Sequence, residues 1–127
     1  MIDTDVLIWA FRGKAKATDF LNTNQGFFIS IITNLELIQG TFNKQELHNI
    51  KLALKIRQTQ NLPVNNEISQ EAIGLAENYF HSHALGITDA LIAATAIHFN
   101  LPLVTGSIKH VAFLKSKGLR VVPFRIN

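Results

Sequence analysis

Short apolar runs alternate along the chain with longer segments in which apolar residues recur every three or four positions. The runs predict strands at 1–2, 27–32, 102–105 and 120–124, and 62–64 is either a short extra strand or a loop. The periodic segments predict helices at 15–23, 35–42, 44–60, 67–82, 89–100 and 109–117. The alternation is typical of βα units, so we expect an α/β fold with a short, mostly parallel sheet of about four to five strands and helices on both faces.

Two of the predicted helices should pack against this sheet. Apolar residues at 68, 72, 75, 76 and 79 place one apolar face on the helix at 67–82. The segment 90–99 is apolar nearly all round, which indicates a central, buried helix. With 127 residues the chain has the length of one domain, spanning 1–127. Parallel strands direct their carboxyl ends to a common edge, where sheets of this kind bind ligands.

Acidic residues stand at the predicted ends of strands. Asp3 directly follows the first apolar pair, and Asp5 comes two positions later, before the apolar run 6–10. A carboxylate at such a place either forms a turn or helix cap or binds a metal ion. Both interpretations remain open for Asp3.

Glu36 and Asp89 have the same two interpretations. Thr33 and Glu36 fit the capping-box pattern S/T-x-x-E after the predicted strand at 27–32, whereas a first-turn carboxylate also lies on the same sheet edge as Asp3. Asp89 opens the most hydrophobic helix and would interact well with its dipole. No Lys or Arg stands near Asp89 in the sequence, so either a distant side chain or a metal must face its charge.

Three carboxylates at one edge would repel each other unless a divalent cation lay between them. The chain has no cysteine, and oxygen ligands without thiols favour Mg²⁺ or Mn²⁺ over Zn²⁺. We do not expect His81, His83 or His98 to be ligands. His110 lies closer to the predicted edge, where it could contact a phosphate.

The distribution of charge favours a polyanionic partner. Formal net charge is +3, but without the residues at 3, 5, 36 and 89 the chain has 12 Lys and Arg against five acids. Phosphate attraction supplies much of nucleic-acid affinity, although a solvated basic surface has the same composition. No apolar run reaches the length of a membrane span and the N-terminal residues are not those of a secretion signal, so we expect a cytoplasmic protein.

Four segments carry a specific resemblance. They are IDTDVLIW at 2–9, ITNLEL at 32–37, TDALIAATA at 88–96 and LPLVTGS at 101–107. In this order and at these spacings they resemble the four motifs of PIN-domain nucleases, and above all the VapC toxins of VapBC toxin–antitoxin pairs. The resemblance extends from position 2 to about position 122.

The resemblance implies a metal-dependent endoribonuclease that uses Mg²⁺ or Mn²⁺. Its catalytic and metal-binding acids fall on Asp3, Glu36 and Asp89. The auxiliary positions are Thr4, Asp5, Thr105 and Ser107. Because Ser107 stands where most relatives have Asp or Asn, it stays open whether the site binds one metal ion or two. The candidates for contact with the RNA backbone are Arg12, Lys14, Lys109 and His110. The implied partners are RNA, a cognate antitoxin protein and a second copy of the chain in a homodimer.

Two other functions remain open on the sequence. Asp3-Thr4-Asp5 also resembles the DxD motif of haloacid-dehalogenase-like phosphatases, with Asp3 as nucleophile, although the chain lacks a convincing downstream acidic pair. Alternatively, the chain is a PIN-like module that binds RNA or a protein partner without cleavage, an option that Ser107 favours. The sequence does not identify the RNA that would be cleaved.

Overall fold

Helices and short strands alternate in the computed structural model, which describes residues 1–126. Within that range the α-helices are α1 (Thr4–Phe11), α2 (Ala15–Thr23), α3 (Ile31–Gln39), α4 (Lys44–Ile56), α5 (Asn66–His83) and α6 (Ile87–His98). The strands are β1 (Phe28–Ser30), β2 (Gln60–Leu62), β3 (Leu103–Thr105) and β4 (Val121–Pro123). Two 3₁₀ segments, Ile108–His110 and Ala112–Lys117, lie between β3 and β4.

Parallel pairing forms the sheet, as predicted. β1 pairs with β2 and β3 pairs with β4, both in parallel. Residues 1–3 lie between these two pairs. The amide of Ile2 donates to the carbonyl of Phe28 at 2.9 Å, and Ile2 also forms a parallel bridge with Val104. The predicted α/β class is therefore confirmed, but the sheet consists of two short pairs joined by the N-terminal segment.

Alternate residues of the strands face two separate cores. Met1 and Leu103 pack in one core with residues of α5 and α6, whereas Ile2 and Ile29 pack in the other with residues of α1 and α2. This alternation follows from the two-residue period of an extended strand. Helices therefore cover both faces of the sheet, as predicted.

The prediction of a buried α6 is also confirmed. Six of its residues are buried: Ala90, Ile92, Ala93, Ala94, Thr95 and Ala96. The helix α5 presents the apolar face that its sequence predicts, with Ile68, Ala72 and Leu75 buried. Small alanine side chains let α6 approach its neighbours closely. Among the helices within residues 1–126, none combines the length and apolar character needed to cross a bilayer.

The start of α3 differs from the prediction. β1 ends at Ser30, whose side chain accepts a hydrogen bond from the amide of Ile32 at 3.0 Å and caps the helix. Helix α3 therefore begins at Ile31, within the predicted strand, and Thr33 lies inside it. The proposed capping box of Thr33 and Glu36 is wrong, because Ser30 is the N-cap and α3 begins at Ile31, two residues before Thr33.

Other element boundaries were also predicted incorrectly. Helix α1 was not predicted at all. Helix α4 ends at Ile56 because the chain turns at Gln58, where φ is 56°, and β2 follows at 60–62 instead of 62–64. Helix α6 begins at Ile87 after Gly86, which makes no side-chain capping bond. The predicted helix at 109–117 is two 3₁₀ turns.

Candidate active site

A cleft of about 220 Å³ brings together the acidic residues that the sequence singled out. Its lining consists of Asp3, Thr4, Asp5, Ile8, Glu36, Asp89 and Ser107. These residues come from the beginning of α1, from α3, from the first turn of α6 and from the loop after β3. All three predicted catalytic acids therefore share one cleft with Asp5, Thr4 and Ser107.

Asp3 is held at both carboxylate oxygens. Oδ1 accepts the amide of Thr4 at 2.8 Å, which makes Asp3 the N-cap of α1, and Oδ2 accepts the Thr105 hydroxyl at 2.7 Å. Burial raises the pKa of Asp3 from 3.8 to about 6. The hydrogen bonds from Thr105 and Thr4 lower this pKa, whereas the charges of Asp5 and Asp89 raise it. Burial thus makes the ionised form of Asp3 costly, and a nearby cation would offset that cost.

Asp5 is held at one oxygen and bare at the other. Oδ2 accepts the Ser107 hydroxyl at 2.9 Å and the Gly106 amide at 3.1 Å. Oδ1 is buried and has no hydrogen-bond partner within the part of the chain that the structure describes. A buried carboxylate oxygen without a partner loses the solvation that water would provide, so this atom suits a cationic ligand.

Glu36 is positioned by a threonine at the start of α1. The Thr4 hydroxyl donates to Oε1 of Glu36 at 2.7 Å and lies 3.0 Å from the Thr33 hydroxyl. Thr33 is fully buried, so its place inside α3 serves this polar contact instead of a helix cap. Glu36 thus faces the cleft and not the amide of its own helix.

Asp89 lies at the mouth of the cleft, where its partner is a histidine. Nδ1 of His110 is 3.9 Å from Oδ2 of Asp89. Burial raises the pKa of Asp89, His110 lowers it, and the charges of Glu36 and Asp5 raise it. His110, from the first 3₁₀ segment, is thus the distant side chain that lies beside Asp89, and a metal ion remains the other option that the sequence left open.

Trp9 and Gly106 form a support that the sequence prediction missed. A Cβ atom at position 106 would lie 2.3 Å from Cη2 of Trp9 and 3.0 Å from Oδ2 of Asp5. Glycine is therefore required at 106 to let the Trp9 ring pack against the loop that holds Asp5. The motif Thr105-Gly106-Ser107 contained this signal, but the tryptophan contact depends on helix α1, which the prediction lacked.

The basic candidates lie at different distances from the acids. His110 contacts Asp89, and Arg12 lines an adjoining groove that also includes Glu36. Lys14 and Lys109 are exposed and do not line the cleft. His98 lies 3.3 Å from the side chain of Asn65, and His83 stacks on Phe113. The lining of the cleft includes neither His81 nor His83 nor His98.

The acids share the cleft but, within the described residues, are not arranged as a tight group of three. Among residues 1–126, no three His, Asp or Glu side chains are close enough to form a ready metal site. The donor atoms are nevertheless carboxylate oxygens, the type that Mg²⁺ and Mn²⁺ prefer. Asp3, Glu36 and Asp89 are therefore the residues that would hold a divalent ion in this cleft.

Comparison with known proteins assigns the family. The PIN domain model matches residues 1–107, and the chain therefore belongs to the PIN-domain family. No curated protein matches the sequence. This assignment gives no support to the haloacid-dehalogenase alternative.

Solved structures share the fold over almost the whole chain. One is a toxin–antitoxin complex from Klebsiella pneumoniae, with 26% identity, a TM-score of 0.77 and coverage of 95% of this chain and 93% of that one. VapBC-1 from nontypeable Haemophilus influenzae has 25% identity, a TM-score of 0.75 and coverages of 97% and 96%. VapBC2 from Rickettsia felis, bound to a DNA fragment from its promoter, has 21% identity, a TM-score of 0.79 and coverages of 98% and 98%.

Proposed function

We propose that this chain is a Mg²⁺- or Mn²⁺-dependent endoribonuclease that hydrolyses RNA phosphodiester bonds. The observation that carries the proposal is the gathering of four carboxylates in one cleft, although they come from three segments that lie far apart in the sequence. Burial raises the pKa values of Asp3 and Asp89, and the charges of neighbouring carboxylates raise them further, so it is costly to keep these acids ionised together. Structural needs alone do not explain why a small domain would bear this cost.

The donor set fits a hard divalent cation. Asp3, Glu36 and Asp89 would hold the ion, and the chain has no cysteine thiolate that would favour a softer metal. When bound, a Mg²⁺ or Mn²⁺ ion lowers the pKa of a coordinated water and neutralises charge on the scissile phosphate. The buried, unpartnered oxygen of Asp5 is a further sign that the cleft is built for positive charge.

The protein's own groups orient the acids and the substrate. The Thr105 hydroxyl fixes the carboxylate of Asp3, and the Thr4 hydroxyl fixes that of Glu36. The donation from Thr105 lowers the pKa of Asp3 and so favours its ionised form, which binds cations. The basic side chains Arg12, Lys14, Lys109 and His110 would attract the RNA backbone toward the cleft.

We further propose that the chain is the cytoplasmic toxin of a type II toxin–antitoxin pair and acts as a homodimer. The solved relatives named above are toxin–antitoxin complexes, which supports a cognate antitoxin as partner. An apolar groove beside Glu36 supports binding of a protein segment, because its residue Phe42 is 93% exposed.

A second apolar groove between α5 and α6, with Ile87 80% exposed, supports dimer formation. Light scattering of the purified protein measures the dimer, and native mass spectrometry with the antitoxin measures the complex.

The decisive experiment is incubation of the purified protein with total RNA and Mg²⁺ or Mn²⁺, followed by mapping of the cleavage ends. EDTA should abolish cleavage. Asp89→Asn should reduce the rate by at least about 100-fold while leaving the circular-dichroism spectrum unchanged, because it removes a metal-binding charge from a folded helix end. Asp19→Asn, an exposed carboxylate on α2 outside the cleft, should cleave like the wild type.

A module that binds RNA or a protein without cleavage is the second candidate. It is favoured by the lack, among the described residues, of three acidic or histidine side chains that are already close together. RNA that binds but stays intact with either metal would support this candidate. Cleavage that disappears in Asp89→Asn would exclude it.

A further inference from the structure

We infer that Asp5 binds the divalent cation directly and that Ser107 is the residue that positions its carboxylate. This inference rests on the proposed function, because it assigns a further ligand to the same cleft. It also gives Ser107, a neutral residue among acids, a specific task.

The two oxygens of Asp5 have different surroundings. Oδ2 accepts two hydrogen bonds, from the Ser107 hydroxyl and the Gly106 amide, whereas Oδ1 is buried and accepts none from residues 1–126. In Asp3 both oxygens have donors. A helix cap does not explain the bare oxygen, since Asp3 already caps α1. A cation is the kind of ligand that satisfies a buried carboxylate oxygen to which no group donates.

Asp5 also lies within electrostatic reach of the other acids. It lines the cleft with Asp3, Glu36 and Asp89, and its charge acts on both Asp3 and Asp89. A cation near those residues would therefore be attracted by the Asp5 carboxylate as well. Its place in the first turn of α1 holds it beside Asp3.

The loop after β3 holds the two N-terminal carboxylates in register. The Thr105 hydroxyl donates to Asp3, the Ser107 hydroxyl donates to Asp5, and the Ser107 amide donates to the Thr105 hydroxyl at 3.0 Å. Three consecutive residues thus connect Asp3 with Asp5 through hydrogen bonds. Ser107 therefore acts on the metal site through Asp5 and needs no contact with the ion.

The test measures Mn²⁺ binding by isothermal titration calorimetry without RNA. Asp5→Asn should weaken Mn²⁺ binding by roughly 100-fold, and Ser107→Ala by about tenfold, since partners that orient a ligand typically contribute 10- to 100-fold. Ser107→Thr, which keeps the hydroxyl, should restore most of the affinity. Asp19→Asn and Ser116→Ala, at exposed positions outside the cleft, should bind Mn²⁺ like the wild type.

Melting temperatures of the metal-free variants separate ligation from a structural role. A structural role predicts that Asp5→Asn lowers the melting temperature and leaves the Kd for Mn²⁺ unchanged, a result that would overturn the inference. If Asp5→Asn does not fold, the Ser107→Ala and Ser107→Thr variants alone test the inference. Equal Mn²⁺ affinity in these two variants would overturn it. A wild type that cleaves RNA with Mn²⁺ while Asp5→Asn binds Mn²⁺ equally well refutes only this inference. A wild type that binds no Mn²⁺ refutes the proposed function too.

Discussion

Both oxygens of Asp3 accept hydrogen bonds, one from the first amide of α1 and one from Thr105. On the sequence, a helix cap and a metal ligand were alternatives for this residue. The geometry makes them compatible, because one oxygen serves the helix while the carboxylate as a whole lines the cleft. The position could be predicted from the sequence, but the burial that raises its pKa to about 6 required the packing of three segments.

Asp3→Asn should stabilise the metal-free protein at neutral pH. Burial raises the pKa of Asp3 in the folded state from its ordinary 3.8 to about 6. Between these pH values the folded state keeps a proton that the unfolded state has released, so the free energy of unfolding falls as the pH rises. Above pH 6 this charge costs on the order of 2 kcal/mol, which the variant avoids.

Urea unfolding between about pH 4 and about pH 7.5 measures this effect. The difference in free energy of unfolding between the variant and the wild type should grow through the window and then stay constant. Asp19→Asn, whose carboxylate is exposed, should show a constant difference. Parallel curves for Asp3→Asn and the wild type would contradict the argument.

Gly106→Ala should destabilise the protein by about 1–3 kcal/mol, because the new methyl group would collide with the ring of Trp9. Thermal unfolding measures the loss. Gly74→Ala is the matched control, since its Cβ would meet no atom within 4 Å, and alanine inside α5 should stabilise by up to about 1 kcal/mol. In a Trp9→Leu background the cost of Gly106→Ala should shrink, and an unchanged cost would disprove the collision.

At the scale of elements, long periodic segments were predicted well and short apolar ones were not. Helices α5 and α6 follow from their patterns of apolar residues. In contrast, the apolar stretch 6–10 has no clear helical period, because α1 is buried on more than one side. The run at 27–32 has the apolar pattern of one strand, but Ser30 caps a helix within it. At this place the capping hydrogen bond of Ser30 and the packing of α3 outweigh the local preference of the sequence for a strand.

Ser30→Ala should test which residue begins α3. Loss of the cap to the Ile32 amide should cost about 1 kcal/mol of unfolding free energy, with a lower melting temperature. Because α3 carries Glu36, Mn²⁺ affinity should fall as well. Ser116→Ala, at an exposed serine, provides the control. A variant as stable as the wild type would show that the cap contributes nothing.

At the scale of the whole molecule, the meeting of the acids could be predicted, because carboxyl ends of parallel strands share an edge. The distances between the acids could not be predicted. They depend on how α1, α3 and α6 pack, and on the 3₁₀ segment that brings His110 to Asp89. The four motifs identified which residues would share a cleft. The contacts of Trp9 and Thr33 and the unpartnered oxygen of Asp5 could be seen only in the folded structure.

RNA binding by the inactive Asp89→Asn variant should weaken as salt increases, because basic side chains displace counterions from phosphates. Replacing Arg12, Lys14 or Lys109 by alanine should each reduce the slope of log affinity against log salt by about one. Fluorescence anisotropy with labelled RNA measures the slopes. Lys55→Ala, exposed on α4 and outside the cleft, should keep the wild-type slope, and equal slopes throughout would argue against these contacts.

The sheet separates two cores, and the acids belong to both sides of it. Glu36 stands on a helix whose Leu37 packs in one core, while Asp89 stands on a helix whose buried alanines pack in the other. The distance between the carboxylates of Glu36 and Asp89 therefore depends on how the two cores pack against the sheet, more than on rotation of either side chain. A cavity made deep in one core, for example by Leu75→Ala, should therefore change the affinity of the cleft for the ion. No residue of the cleft itself would have been altered.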